Sequence, residues 1–180
     1  MRHFLVRGLI ATAAATVGLF VAGATAQASA AGPENDPVAN AAGGTVTIQV
    51  TKLTHAQATA RLRAAGITWS SSGGCSDRNN STCTSFEQVN LTTIQGGETL
   101  KRASGCALNI TGGTETGHAS GTYSHWNGYK LDFSKATCLT NYIHNNFTSI
   151  GGGKWQSGAG NIYFDESNHW DVTFYNCGGC

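Results

Sequence analysis

Four residues in the C-terminal half of the chain have types and spacings that suit a hydrolytic metal centre. His125 is followed seven residues later by Asp132, and Glu166 precedes His169 by three residues. Two imidazoles and one carboxylate make a three-ligand zinc site with a fourth position left for water. The metal lowers the pKa of that water, and a carboxylate outside the ligand set can accept its proton. We therefore predict one Zn²⁺ per chain, held by His125, Asp132 and His169, with Glu166 as the catalytic base of peptide-bond hydrolysis.

The alternation of apolar residues indicates which elements position these side chains. In "GYKLDF" every second residue is apolar, so Lys130 and Asp132 share the face that points away from the core. In "HWDVTF" the same alternation places His169 and Asp171 on the polar face. The glycine before the first strand lets His125 fold back toward Asp132. If the two strands are neighbours in one sheet, we expect the ligands to converge on one open face.

Both segments resemble the motifs of a known family. The segment "HWNGYKLD" resembles the H-x-x-G-x-A-x-D motif of the zinc D-alanyl-D-alanine carboxypeptidases and their Hedgehog-fold relatives. The segment "ESNHW" resembles that family's second motif, E-x-x-H followed by an aromatic residue. The resemblance implies His125, Asp132 and His169 as zinc ligands and Glu166 as catalytic base. It also implies an α+β fold with a central antiparallel sheet, and peptidoglycan stem peptides as substrates.

The chain departs from this family at two places that concern substrate binding. Lys130 stands at the alanine position, and "ITGGTETGH" lacks the arginine that the family has upstream of its first histidine. A missing arginine weakens recognition of a terminal carboxylate and favours an endopeptidase that acts within cross-links. We predict that Lys130, His118 and Glu115 contribute to substrate binding. The alternatives are a salt bridge at the rim for Lys130, a ligand role for His118 in place of His125, and a contact of Glu115 with His118.

The first thirty residues resemble a secretory signal peptide rather than a part of the fold. Two arginines precede a run rich in alanine and glycine, which ends in small residues suited to cleavage. Residues 31–44 contain both prolines of the chain and few large apolar residues, so we predict a disordered leader there. The folded, zinc-peptidase-like domain is predicted to span 45–180. The mature protein is expected to be secreted and to have no membrane anchor.

The chain has six cysteines, and all of them follow the predicted signal peptide. An even number of cysteines in an exported chain indicates disulfides. Sequence alone leaves fifteen complete pairings open; we favour Cys75–Cys83, Cys106–Cys138 and Cys177–Cys180. No cysteine is then spared as a nucleophile, and no G-x-S-x-G element is present, so the sequence gives no support for a cysteine or serine hydrolase.

The composition bounds the fold and the partners. Twenty-four glycines among 180 residues favour a loop-rich chain, which we predict to be a small, single α+β domain stapled by disulfides, with a central antiparallel sheet flanked by helices. One predicted helix, 55–65, begins after Thr54 in capping-box spacing with Gln57 and ends at Gly66. A formal net charge of +1 offers no electrostatic attraction for nucleic acid. We predict a monomer that acts on peptidoglycan peptides; the alternative is a non-catalytic cell-wall-binding module on the same fold.

Overall fold

The computed structural model of the chain describes residues 38–41, 44–47 and 50–175. The chain divides into two compact units, Met1–Ile48 and Gln49–Cys180. In the first unit, strand β1 (Val38–Ala41) pairs antiparallel with strand β2 (Gly44–Thr47).

This hairpin overlaps the predicted disordered leader. Residues 38–41 and 44 of that leader lie in the two strands. The predicted signal peptide, residues 1–30, lies outside the described residues.

The described residues of the second unit form three helices and nine strands. In chain order they are β3 (Lys52–Leu53), α1 (His55–Ala64), β4 (Thr68–Trp69), β5 (Val89–Asn90), α2 (Leu91–Ser104), β6 (Asn109–Gly112), β7 (Lys130–Ser134), α3 (Thr137–Asn146), β8 (Thr148–Gly151), β9 (Lys154–Gln156), β10 (Ile162–Asp165) and β11 (His169–Thr173).

Seven of these strands form one mixed sheet in the order β4-β6-β7-β11-β10-β9-β8, and β3 pairs with β5 in a separate two-stranded sheet. The predicted α+β class is confirmed. The prediction of a purely antiparallel sheet is wrong at one edge, because β4 and β6 run parallel. A parallel pair needs a crossover connection, and α2 lies in the chain between these two strands.

Helix α1 shows the predicted capping chemistry. The backbone N–H of Gln57 donates to the Thr54 hydroxyl over 3.2 Å, and the Gln57 side chain accepts from the Thr54 N–H over 2.9 Å. The helix ends at Ala64, and Gly66 follows with a φ of +68°. The capping box and the glycine therefore set both ends of the helix, and the predicted helix is confirmed.

The hydrophobic core fixes which face of the central strands is polar. On β7 and β11 the apolar residues Leu131, Phe133, Trp170 and Val172 are all fully buried. Because successive side chains on a strand point to opposite faces, Asp132 must point away from this layer. The core thereby determines the placement of the polar side chains that form the site.

Two of the predicted disulfides are confirmed. Cys75 is bonded to Cys83 and Cys106 to Cys138, across Cα–Cα distances of 4.7 Å and 5.8 Å. The predicted pair Cys177–Cys180 lies outside the described residues. Disulfides indicate an oxidising environment such as the exterior of the cell. No helix among the described residues is long and apolar enough to cross a membrane.

Gly128 should not tolerate a side chain without loss of stability. Its φ is +80°, and a Cβ there would lie 2.6 Å from the Gln88 carbonyl oxygen. We expect Gly128→Ala to lower the free energy of unfolding by roughly 2–4 kcal/mol, as the sum of left-handed strain and overpacking. Urea denaturation measures this. The control is Gly158→Ala, since a Cβ at Gly158 would meet nothing within 4 Å. Equal stability of the two variants would contradict this account.

Candidate metal centre

Strands β7 and β11 bring the two predicted motifs together. They pair antiparallel, with Asp132 directly opposite Asp171 and His169 opposite Ser134, two residues beyond Asp132. His169 and Asp132 therefore share one face of the sheet as diagonal neighbours. The Nε2 atom of His169 lies 3.5 Å from Oδ1 of Asp132. The strand arrangement expected from the sequence is thus present.

His125 reaches the same carboxylate from the loop that precedes β7. Its Nδ1 lies 2.6 Å from the Gly113 carbonyl oxygen, which can only accept, so Nδ1 carries the hydrogen and donates. The other ring nitrogen, Nε2, lies 3.3 Å from Oδ1 of Asp132. The backbone contact therefore orients the ring so that Nε2 faces the carboxylate.

The carboxylate of Asp132 is buried and incompletely bonded. Asp132 is 5% exposed, and Oδ1 has no hydrogen-bond partner although two imidazole nitrogens lie nearby. Bonds of about 2.0–2.1 Å around a tetrahedral zinc ion place any two ligand atoms roughly 3.3–3.4 Å apart. The distances of 3.3 Å and 3.5 Å from Oδ1 to His125 and His169 are of this size. Each of these two pairs therefore has the spacing of two metal ligands. The group of described residues whose ligand atoms all lie within 4.8 Å of one another, however, contains His118, His125 and Asp132 and not His169.

His118 adds a third imidazole to the centre. Its ring stacks on that of His125 with 3.8 Å between centroids, and its Nδ1 lies 3.8 Å from Oδ2 of Asp132. Three residues each offer one ligand atom here, and these atoms all lie within 4.8 Å of one another. His118, His125 and Asp132 could therefore hold a metal ion. The sequence predicted His118 as a substrate contact and kept a ligand role as an alternative. The structure groups His118 with His125 rather than in its place.

Glu115 holds His118 in this position. The carboxylate accepts from the backbone N–H of Ser85 over 2.7 Å and from that of Gly113 over 3.0 Å, and His118 Nε2 lies 3.1 Å from Oε1. Burial raises the pKa of Glu115, but the His118 ring and the backbone N–H groups outweigh burial and bring the pKa below its usual value. A buried, charged Glu115 therefore orients the imidazole, as outer carboxylates do for ligand histidines. Its contact with substrate stays a prediction.

Lys130 forms an ion pair with Asp171 beside the centre. The Nζ atom lies 2.7 Å from Oδ2 of Asp171, the residue that faces Asp132 across the strands. Burial raises the pKa of Asp171, whereas hydrogen bonds from His125 and Lys130 lower it, and the net pKa is below its usual value. This contact matches the salt-bridge alternative for Lys130. It also makes Asp171, which the sequence placed on the polar face with His169, a partner of the centre.

The centre as a whole attracts positive charge. Burial alone lowers the pKa of His125, yet the carboxylates of Asp132 and Asp171 outweigh burial and raise this pKa to about 9. An imidazole that retains its proton so strongly lies in an anionic environment. A metal cation competes for the same position, because metal binding releases the protons of its ligands.

Glu166 lies beside His169 in the tight turn between β10 and β11. His169 Nδ1 lies 2.7 Å from the Asn168 side-chain oxygen, which leaves Nε2 facing Asp132 and, at 3.3 Å, Oε2 of Glu166. Ser167 within this turn has a φ of +70°. The Glu166 side chain is 39% exposed and can meet solvent water. It is therefore next to the predicted ligands and accessible, as a base must be.

The loop before β7 covers the predicted metal-binding face. We expected an open face, but His125 and Asp132 are only 3% and 5% exposed. His118 of this loop lies beside Oδ2 of Asp132. Gly112, on the neighbouring strand β6, is paired with Asp132, and a side chain there would clash with the same oxygen. Access is instead from the side on which His118, His169 and Glu166 remain partly exposed.

We expect the purified chain to bind one zinc ion. Replacing a ligand, by Asp132→Asn or His125→Ala, should weaken zinc binding by more than the roughly 10–100-fold lost when a residue that only hydrogen-bonds to a ligand is replaced. Excess zinc should raise thermal stability, by about 2.7 kcal/mol at 100 times Kd. Metal analysis and calorimetry measure both. His144→Ala is the control, because His144 stacks on Trp155 away from the site. Undiminished zinc in both site variants would exclude this centre.

The chain matches no protein-family model, and no curated protein or solved structure is significantly similar to it.

Proposed function

We propose that the protein is a secreted zinc metallopeptidase that hydrolyses peptide bonds of bacterial peptidoglycan, in stem peptides or in cross-links. One observation carries this proposal. The buried, incompletely bonded carboxylate of Asp132 lies 3.3 Å and 3.5 Å from the imidazoles of His125 and His169, with Glu166 3.3 Å beyond His169. The resemblance of both motifs to the zinc D-alanyl-D-alanine carboxypeptidases supports the same function.

In this proposal His125, Asp132 and His169 hold zinc. A zinc ion bound there supplies Lewis acidity for the substrate carbonyl and lowers the pKa of its water. Glu166, whose side chain is accessible to solvent, accepts the proton of the attacking water and delivers it to the leaving amine. The hydrogen bonds from His125 to Gly113 and from His169 to Asn168 keep both rings oriented throughout.

A pocket of about 250 Å³ beside the centre supports a peptide substrate. Its lining consists mostly of small and polar residues, with one aromatic side chain: Glu115, Thr116, Gly117, His118, Ala119, Ser120, Gly121, Ser124, Trp126 and Asn127. No lysine or arginine of the described chain is among them. The Arg78 guanidinium lies against the ring of the lining residue Trp126, so the pocket is compatible both with an internal bond of a cross-link and with a terminal carboxylate.

We expect zinc-loaded protein to release new amino groups from muropeptides, and a chelator to abolish the reaction. Glu166→Gln should reduce kcat by roughly 10²–10⁴-fold, the usual contribution of general acid–base catalysis, while zinc content remains at one per chain. Amine detection and mass spectrometry of the products measure this. A Glu166→Gln variant as active as the original chain, or hydrolysis that survives zinc removal, would refute the mechanism.

A second candidate function follows from His118. If His118 were a fourth ligand beside His125, Asp132 and His169, no position would remain for water, and closed four-ligand sites are structural. The protein would then be a non-catalytic cell-wall-binding module stabilised by its metal.

His118→Ala separates the two candidates. For the peptidase, the variant keeps zinc and a Glu166-dependent activity. For the closed site, it loses affinity for zinc by at least roughly 100-fold, and neither form of the protein hydrolyses muropeptides. Pull-down on intact cell walls without product release would then favour the binding module.

A further inference from the structure

Trp126 presents a large exposed aromatic surface next to the candidate metal centre. The residue directly follows His125 and is 45% exposed. Its indole lines the pocket that also contains His118 and Glu115. A large aromatic side chain at the rim of a polar pocket is a typical contact for a ligand with an apolar face.

Arg78 holds this indole in place from one side. The guanidinium lies 3.7 Å from the centre of the Trp126 ring, and its Nη2 donates to the Trp126 backbone oxygen. A second donor, Nε, bonds the Thr114 oxygen over 3.2 Å. Arg78 itself belongs to the loop closed by the Cys75–Cys83 disulfide. The ring is thus supported on one face, which fixes its orientation before any ligand arrives.

The rest of the pocket offers polar groups at short range from the indole. The hydroxyls of Thr116 and Ser120 have no hydrogen-bond partner among the described residues, and both residues are exposed. Gly117 and Gly121 line the same wall, and the Gly121 carbonyl oxygen accepts from the Asn127 side chain over 2.9 Å. A purely apolar ligand would leave these groups unpaired at a cost, so the pocket favours a ligand that has hydroxyl or amide groups around an apolar face.

We propose that Trp126 and the pocket behind it bind a pyranose ring of the peptidoglycan glycan strand. The C–H face of such a ring stacks on the free side of the indole, while its hydroxyl and N-acetyl groups hydrogen-bond to Thr116, Ser120 and the loop backbone. The identity of the glycan rests on the proposed function; the stacking site does not. The enzyme would therefore recognise peptides that are still attached to their sugar, and the substrate class would be glycan-linked peptide.

A soluble N-acetylglucosamine tetramer is the direct probe, added to full-length zinc-loaded protein and followed by tryptophan fluorescence and calorimetry. We expect saturable binding, weakened at least tenfold in Trp126→Ala. Ser120→Tyr, which fills the pocket and leaves the indole in place, should weaken binding as well. Trp155→Phe is the matched control, since Trp155 stacks on His144 outside this pocket. Equal binding by the original chain and both pocket variants, or no binding at millimolar tetramer, would overturn the proposal.

A kinetic experiment tests the same inference on substrate. The original chain should show a KM roughly tenfold lower for a disaccharide-linked peptide than for the same peptide without sugar. Trp126→Ala should lose this difference at unchanged zinc content. A chain that binds the tetramer but cleaves neither peptide would refute the peptidase and leave the sugar site standing. A chain that cleaves both peptides with equal KM and binds no tetramer would refute the sugar site alone.

Discussion

The structure of the candidate centre depends on two buried carboxylates that face each other across strands β7 and β11. Asp132 and Asp171 are opposite residues in the register, and both are at most 6% exposed. At the roughly 5 Å that separates such pairs, two negative charges repel by about 3 kcal/mol in an effective dielectric of 20. Such a pair is tolerable only beside compensating cations. Lys130 supplies one of them, and the cluster of imidazoles around Asp132 provides the position for a proton or a metal ion.

Hydrogen bonds behind the imidazoles determine how this cluster is oriented. Each of the three imidazoles has one ring nitrogen in contact with a partner outside the cluster. For His125 this partner is the Gly113 oxygen, for His118 the Glu115 carboxylate, and for His169 the Asn168 side chain. The remaining nitrogen of each ring then points toward Asp132. Glu115 is held in turn by backbone N–H groups that include that of Ser85, thirty residues earlier in the chain. The loop over the sheet is therefore part of the centre, because it fixes rings that the strands alone would leave free.

The sequence predicted the parts of this arrangement that follow from period-two alternation. Asp132 and His169 lie on apolar-alternating strands, so the burial of Phe133 and Trp170 determines where they point. The position of His118 could not be predicted in this way, because it lies in a glycine-rich loop without periodicity. Its one signal was Glu115, three residues earlier.

Other elements depend on contacts that no local pattern encodes. Strands β8 and β9 are connected through a glycine-rich segment that has no apolar alternation. Gly151, the last residue of β8, and Gly152 and Gly153 after it all have positive φ. The parallel pair of β4 with β6 consists of two residues on β4, too few for a pattern to be recognised. In both cases pairing with a neighbouring strand outweighs the local preference of the chain.

Lys130, which stands where the motif that the chain resembles has alanine, is explained by its ion pair in the centre. With its ammonium 2.7 Å from Asp171, Lys130 largely compensates the charge of that carboxylate. A divalent ion held by one carboxylate and neutral imidazoles would keep a net positive charge, which is the charge that would acidify a bound water and polarise a carbonyl. Without Lys130, Asp171 would add a second negative charge next to His125 and weaken this effect. The ion pair with the lysine therefore compensates the carboxylate that faces Asp132 across the two strands.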